Sequence, residues 1–306
     1  MASSTGQYIF QAVPGYFQHD AVPPARGTTI STTPGLGLID QAFKTDAEFD
    51  PDGKKTAWER FSHFLEDLNK KEAGSAEYKL FFLARHGEGY HNVQEAKVGT
   101  AAWDDYWSKL EGDGTVIWAD ADLTETGKGQ ARLLNAFWRE SLSSDGGVNI
   151  PAPQRYYVSP HSRTLETCRL SFEDLDSLLP PSLPFKPVVK EILRERYGEH
   201  TCDRRRSRTW IASQYPEFEI ESGLTENDEL WTADKMETPE HVAGRMTRML
   251  EAVFEHDKEA TFVSFTMHSG AIFALHKAVG HEGVLVTPGA MVPVLVRAKL
   301  AADGTL

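Results

Sequence analysis

Three short stretches of this 306-residue chain combine residue types able to move a charged group: Arg85-His86-Gly87-Glu88, Ser159-Pro160-His161-Ser162-Arg163-Thr164, and Met267-His268-Ser269-Gly270. Together they supply two arginines and two principal histidines, His86 and His268. A guanidinium presents a fork of donors that matches a phosphate. A neutral imidazole nitrogen is a competent nucleophile towards phosphorus near pH 7, and a covalent intermediate divides one hard displacement into two easier ones. The set therefore suits phosphoryl transfer, whose main tasks are to hold a dianion in line and to neutralise its equatorial oxygens. His86 is the expected nucleophile. Gly87 beside it permits a tight turn and close approach of an anion to backbone N–H groups. A bare Arg-His-Gly triplet is weak; the combination carries the reading.

These stretches need a scaffold that brings them to one place. The apolar run 79–84 reads as a strand buried on both faces, and 155–158, 187–192, 261–266 and 291–296 repeat the pattern. Helical spacing appears at 127–140, 162–178, 239–256 and 270–279. A further helix carries Trp58, Phe61, Phe64, Leu65 and Leu68 and ends near Asn69. Alternating strands and helices predict a three-layer α/β/α sandwich with a mostly parallel central sheet. In such a sheet the ligand sits beyond the carboxyl ends of the strands, which is where the three stretches fall. Residues 1–55, rich in Gly, Pro, Thr and Asp, read as an extended arm without regular period, docked on the body by Tyr8, Phe10, Tyr16 and Phe17. Residues 56–306 then form one domain, interrupted near 99–122 by a Trp-, Asp- and Gly-rich insertion that could roof a pocket.

Composition narrows the function classes. A formal net charge of -13 argues against nucleic acid as a partner, because its capture needs a basic face. No run reaches the roughly 18 apolar residues of a membrane span. No basic segment followed by an apolar one opens the sequence, so a cytoplasmic location is expected. The two cysteines, Cys168 and Cys202, are too few for a disulfide framework and lack zinc-site spacing, which reads as reduced structural thiols.

With these residues in hand, the chain resembles the histidine phosphatase (phosphoglycerate mutase-like) superfamily over roughly residues 79–298. RHGEGYHN at 85–92 is similar to the family's phosphate loop, with Asn92 at its asparagine. Asp122-Leu123-Thr124-Glu125-Thr126-Gly127 with Gln130-Ala131 looks like its helix entry, where Thr124 and Glu125 would cap. Ser159-Pro160, Arg163-Thr164 and Thr167 resemble its second arginine motif, and His268-Ser269-Gly270 its second histidine motif. Leu193-Arg194-Glu195 looks like its Leu-x-Glu motif. The arm, WDDYWS at 103–108 and the run 202–206 look most like the fungal and plant branch. The resemblance implies a phosphohistidine on His86, with Arg85, Asn92, Arg163 and His268 holding the phosphoryl group and Glu195 as acid and base. Glu88, as an orienting group, and His161, which stands where the family often has an apolar residue and could contact phosphate, are further candidates. No metal and no cofactor are implied, and the partner would be a small phosphorylated metabolite.

Ser269 stands where the acid phosphatase and phytase branch has Asp, so that branch fits poorly. Mutases of the family carry a histidine between the arginine and tyrosine found here as Arg196-Tyr197, and a longer tail beyond the last strand is expected of an enzyme that shields phosphohistidine from water. A phosphatase is therefore the leading reading, with a mutase and a non-catalytic phosphate-binding scaffold as alternatives. Arg204, Arg205, Arg206 and Arg208 either pair with the acidic surface or bind further anionic groups of the substrate. Substrate identity and oligomeric state are not written in the sequence.

Overall fold

A computed structural model describes residues 8–21, 29–143 and 147–301. Its strands are β1 (Tyr8–Ala12), β2 (Thr29–Ile30), β3 (Ala76–Arg85), β4 (Arg155–Val158), β5 (Pro187–Val189), β6 (Glu219–Ile220), β7 (Phe262–Met267), β8 (Leu285–Val286) and β9 (Met291–Leu300). Its helices are α1 (Gln18–Ala21), α2 (Asp46–Phe49), α3 (Ala57–Lys71), α4 (Tyr90–Val98), α5 (Thr100–Asp105), α6 (Glu125–Leu142), α7 (Ser162–Phe172), α8 (Arg208–Gln214), α9 (Pro239–His256) and α10 (Ser269–Ala278).

Among the described residues, seven strands form the main sheet in the order β1-β9-β3-β7-β4-β5-β6. The run from β3 to β6 is parallel, while β9 pairs antiparallel with both β3 and β1. The alternation of side chains along β3 explains the layers. Leu80, Phe82 and Ala84 face α3 and α6, where Trp58, Phe61, Leu134 and Trp138 are buried. Phe81 and Leu83 face α9 and α10, packing with Met246, Leu250 and Ile272. Both faces of the sheet are thus covered, as the continuous apolar run predicts.

Local signals set the helix starts. Thr56 accepts a hydrogen bond from the Glu59 N–H and donates its own N–H to the Glu59 carboxylate, closing a capping box on α3. Thr124 and Thr238 cap α6 and α9 in the same way through their hydroxyls.

Three expectations needed correction. Residues 1–55 do not lack regular structure: Tyr8–Ala12 is an edge strand in register with β9, and Phe17, Leu36 and Phe43 lie in the core beside Trp58 and Phe61. The helix expected over 162–178 stops at Phe172, where Glu173 leaves helical backbone and Asp174 takes a positive φ of 56°; Leu175 and Leu179 beyond it are core residues of a loop. The strand expected over 187–192 ends at Val189, because the Glu191 N–H is taken by the Glu221 carboxylate at 2.6 Å and the chain turns into a short 3-10 helix, Glu191–Leu193.

In the 99–122 insertion, Trp103, Trp118 and Ala121 pack with Cys202. Thr201 donates its hydroxyl to the Leu110 carbonyl at 2.6 Å, and the Asp120 N–H donates to the Thr201 carbonyl. The insertion is therefore held against the 3-10 turn Thr201–Asp203. Among the described residues, no helix is long and apolar enough to cross a membrane.

Candidate active site

Because β3, β7 and β4 are parallel neighbours, their carboxyl ends share one edge of the sheet. His86 follows β3, His268 follows β7, and the stretch from Ser159 to Arg163 follows β4. The His86 and His268 rings lie 5.1 Å apart, and those of His268 and His161 5.0 Å apart.

His86 is 3% exposed, and its Nδ1 lies 2.7 Å from the Gly87 carbonyl. A carbonyl only accepts, so the ring carries its proton on Nδ1 and presents the Nε2 lone pair. The backbone around it is fixed by side chains: the Gly87 N–H donates to Thr167 Oγ1 at 3.0 Å and the Glu88 N–H to Gln130 Oε1 at 2.7 Å. Gly87 is needed for contact with α6, since a Cβ there would lie 2.3 Å from the Gly127 carbonyl oxygen. Glu88 accepts a hydrogen bond from the Thr124 hydroxyl at 2.7 Å, which ties the loop to the cap of α6. Asn92 accepts the Gly89 N–H through Oδ1 at 3.0 Å, leaving its amide nitrogen as the donor half.

Arg163 is 1% exposed; it donates to the Cys202 carbonyl at 2.6 Å and to Asp203 Oδ1 at 2.9 Å. Arg85 donates to the Val286 carbonyl at 2.7 Å, and its Nε is buried without a partner among the described residues. Ser159 Oγ sits between two rings, 2.8 Å from His268 Nε2 and 3.2 Å from His161 Nδ1. His161 is fully buried and reaches the cluster through this hydroxyl. The buried Nδ1 of His268 has no partner among the described residues.

Burial, followed by the positive charge of Arg163, holds His86, His161 and His268 well below the usual histidine pKa. The rings are consequently neutral beside two guanidinium groups. Glu195 behaves oppositely. Burial first, and then the Asp203 charge, push its carboxyl above the usual glutamate range. It is half-buried, accepting the Gly270 N–H on Oε2 and the Arg196 N–H on Oε1, both at 2.9 Å. A Cβ at Gly270 would come within 2.3 Å of Glu195 Oε1, so the glycine two residues after His268 makes room for this carboxyl.

The geometry adds residues that spacing did not single out. His91, the second histidine of RHGEGYHN, is 8% exposed with its ring 5.5 Å from that of His86, and burial and Arg163 hold it well below the usual pKa as well. Its signal was its place in the first turn of α4, directly after the loop that follows β3. Asp120 is 2% exposed and raised to about 6 by burial; it accepts the Ser162 N–H at the start of α7 and the Arg206 N–H, each at 3.1 Å. Asp120 is part of no readable motif.

The arginine run divides into ion pairs. Arg204 holds Glu111 with bonds of 2.6 and 2.8 Å, Arg205 holds Glu191, and Arg206 holds Asp122 at 2.9 Å. Arg208 is exposed. A cavity of about 560 Å³, lined in part by Gln130, Phe137, Thr287 and Gly289, touches none of the expected site residues. It backs the loop after β3 through Gln130 and Gly289, which bond to Glu88 and His86.

Residues 81–284 match the family model of the histidine phosphatase superfamily (branch 1). A protein of Arthroderma benhamiae named "Probable phosphoglycerate mutase" is 46% identical over 96% of this chain and 86% of its own length. A Saccharomyces cerevisiae protein named "Probable phosphoglycerate mutase PMU1" is 31% identical over 94% of this chain and 95% of its own. Among solved structures, the ecdysone phosphate phosphatase from Bombix mori in complex with tungstate aligns at 18% identity and a TM-score of 0.44, covering 70% of this chain and 88% of that one.

Proposed function

The chain belongs to the histidine phosphatase superfamily, and on that premise we propose that it hydrolyses a small phosphate ester or anhydride through a phosphohistidine on His86. The observation that carries this reading is the tautomer of His86: Nδ1–H is tied to the Gly87 carbonyl, so a neutral Nε2 is available within a ring of Arg85, Arg163 and His268. Nε2 attacks phosphorus, the bond from phosphorus to the leaving oxygen breaks, and Glu195 supplies the proton that oxygen needs. The carbonyl of Gly87 steadies the ring as it becomes cationic. Glu195, now ionised, takes a proton from water; the water oxygen bonds to phosphorus, the P–N bond breaks, and phosphate leaves.

The raised carboxyl of Glu195 supports its role as the acid, because it favours the protonated form at the start of the cycle. Its partial exposure supports entry of the water. Arg196 is followed directly by Tyr197, without the intervening histidine of the mutase pattern, and this favours hydrolysis. Arginines and neutral imidazoles supply the positive charge and donors that a magnesium ion supplies elsewhere, so turnover is expected to persist in chelator-treated protein.

Product analysis on a panel of sugar phosphates, nucleotides and diphosphates, in the presence of chelator, tests the reading. Free phosphate released in step with substrate loss is expected. An isomerised phosphoester without free phosphate would overturn it in favour of the mutase.

A further inference from the structure

Next to the phosphate pocket, donor atoms of another chemistry converge. His200, Cys202 and Asp203 place an imidazole nitrogen, a thiol sulfur and a carboxylate oxygen within 4.8 Å of one another. A fourth donor comes from the insertion: Asp104 Oδ1 at the end of α5 lies 3.6 Å from His200 Nε2. No sequence spacing announces this set, because Asp104 is almost a hundred residues away and arrives only through the fold.

We propose that these four side chains form a binding site for one zinc-class divalent ion. Tetrahedral zinc with sulfur, nitrogen and oxygen ligands at about 2.0–2.3 Å needs donors about 3.3–3.8 Å apart. The Asp104 to His200 separation already falls in that range; the atoms of His200, Cys202 and Asp203, within 4.8 Å of one another, need to draw together by up to roughly an ångström, and the exposed Asp104 carboxylate has to turn in to meet them. A frame holds them. The Asp203 N–H donates to the His200 carbonyl, and Thr201 is bonded to the Ser108 and Leu110 carbonyls. Trp103, Trp118 and Ala121 surround Cys202 with apolar surface, the kind of shell that excludes water and strengthens a bound ion's contacts.

The charges close. Asp104, Asp203 and an ionised Cys202 carry three negative charges, which balance a divalent ion plus the neighbouring Arg163 guanidinium. Asp203 can serve both, since Oδ1 accepts from Arg163 and the second oxygen is the ligand. Binding replaces the thiol proton with the ion and releases that proton to solvent. Sulfur and imidazole select zinc or cobalt over magnesium and calcium, which prefer all-oxygen sites. The ion stands outside the proposed chemistry and serves as a brace between the insertion and the turn that orients Arg163.

Cobalt titration of the chelator-stripped full chain tests this, using Co²⁺ as the probe. One equivalent is expected to bind with tetrahedral visible bands and a thiolate charge-transfer band in the near ultraviolet. Cys202→Ser should abolish the thiolate band. His200→Asn and Asp104→Asn should each weaken Co²⁺ binding by at least about tenfold. Asp104 is exposed, so its variant remains interpretable if the buried cysteine variant folds poorly. Bound cobalt without a thiolate band would place the ion on the pocket imidazoles and overturn the proposal, as would the absence of binding or an affinity unchanged in Asp104→Asn and His200→Asn.

Discussion

Arg163 and Arg194 lie on either side of Asp203 and are equally buried, yet they are provisioned in opposite ways. Arg194 makes two bonds to Asp228 and one to Glu191, and donates to the Asp203 carbonyl. Arg163 bonds one carboxylate, Asp203, and otherwise faces a set of neutral histidines, with the Asp120 and Glu195 carboxyls close enough to feel its charge. Both leave a buried Nε without a partner among the described residues, so an orphan nitrogen does not separate them. What separates them is the carboxylate supply. A guanidinium whose charge is met twice over is a structural pin; one met once, beside imidazoles kept neutral, retains positive potential for an anion. On the proposed function, folding around the second kind stores a site that a phosphoryl group would complete.

The contrast can be broken in several ways, the largest being collective. His86, His91, His161 and His268 are neutral in the fold and would take protons near pH 6.5 once unfolded. The unfolded state therefore binds more protons as pH falls, so stability is full above about pH 6.5 and lost below it, by up to about 1.4 kcal/mol per ring per pH unit. Asp120, raised to about 6, works with the opposite sign and offsets part of this between its ordinary 3.8 and 6. Urea midpoints should fall steeply between about pH 7 and pH 5.5; a flat profile would mean that the rings are not held neutral.

Glu195→Gln is next, with an expected loss of about 10²–10⁴-fold in turnover. In the parent enzyme, kcat/KM should decline as pH rises through the raised Glu195 pKa, since the acid form is consumed. The variant should lack that decline, and an aryl phosphate with a good leaving group should restore much of its rate. Equal loss on every substrate would assign Glu195 a merely structural part.

The two arginines should then dissociate. Arg194→Met is expected to cost about 3–5 kcal/mol of stability by stranding Asp228, while the folded fraction keeps its turnover. Arg163→Met should cost about 10²–10³-fold in turnover, the scale of losing one charge-stabilising donor. Chemical denaturation and steady-state kinetics on both proteins check the assignment, which fails if their effects exchange. The smallest change is expected of Arg204→Ala, under about 1 kcal/mol, because its Glu111 pair is exposed to solvent.

Much of this was legible in the sequence, for identifiable reasons. Buried parallel strands are written as unbroken apolar runs, so β3 and β7 could be read and the residues placed at their ends. His86 and His268 were readable because each sits directly beyond such a strand, and Arg163 because it opens the helix that follows β4. The edge strand Tyr8–Ala12 was not, because its pairing with β9 joins residues almost three hundred positions apart. Nor did the run from Arg204 to Arg206 say which anions it would meet: Glu111, Glu191 and Asp122 are brought to it by other segments. Asp203 and Asp120 were opaque for the same cause, since their roles depend on partners chosen by tertiary packing.

The most direct test of the central claim is chemical trapping. Protein mixed with a radiolabelled phosphorylated substrate and quenched in alkali within a turnover should carry label that is stable to base and labile to acid, located on His86 by peptide mapping. His86→Ala should carry none and lose at least about 10³-fold in turnover. Label on another residue, or undiminished turnover by His86→Ala, would contradict the account.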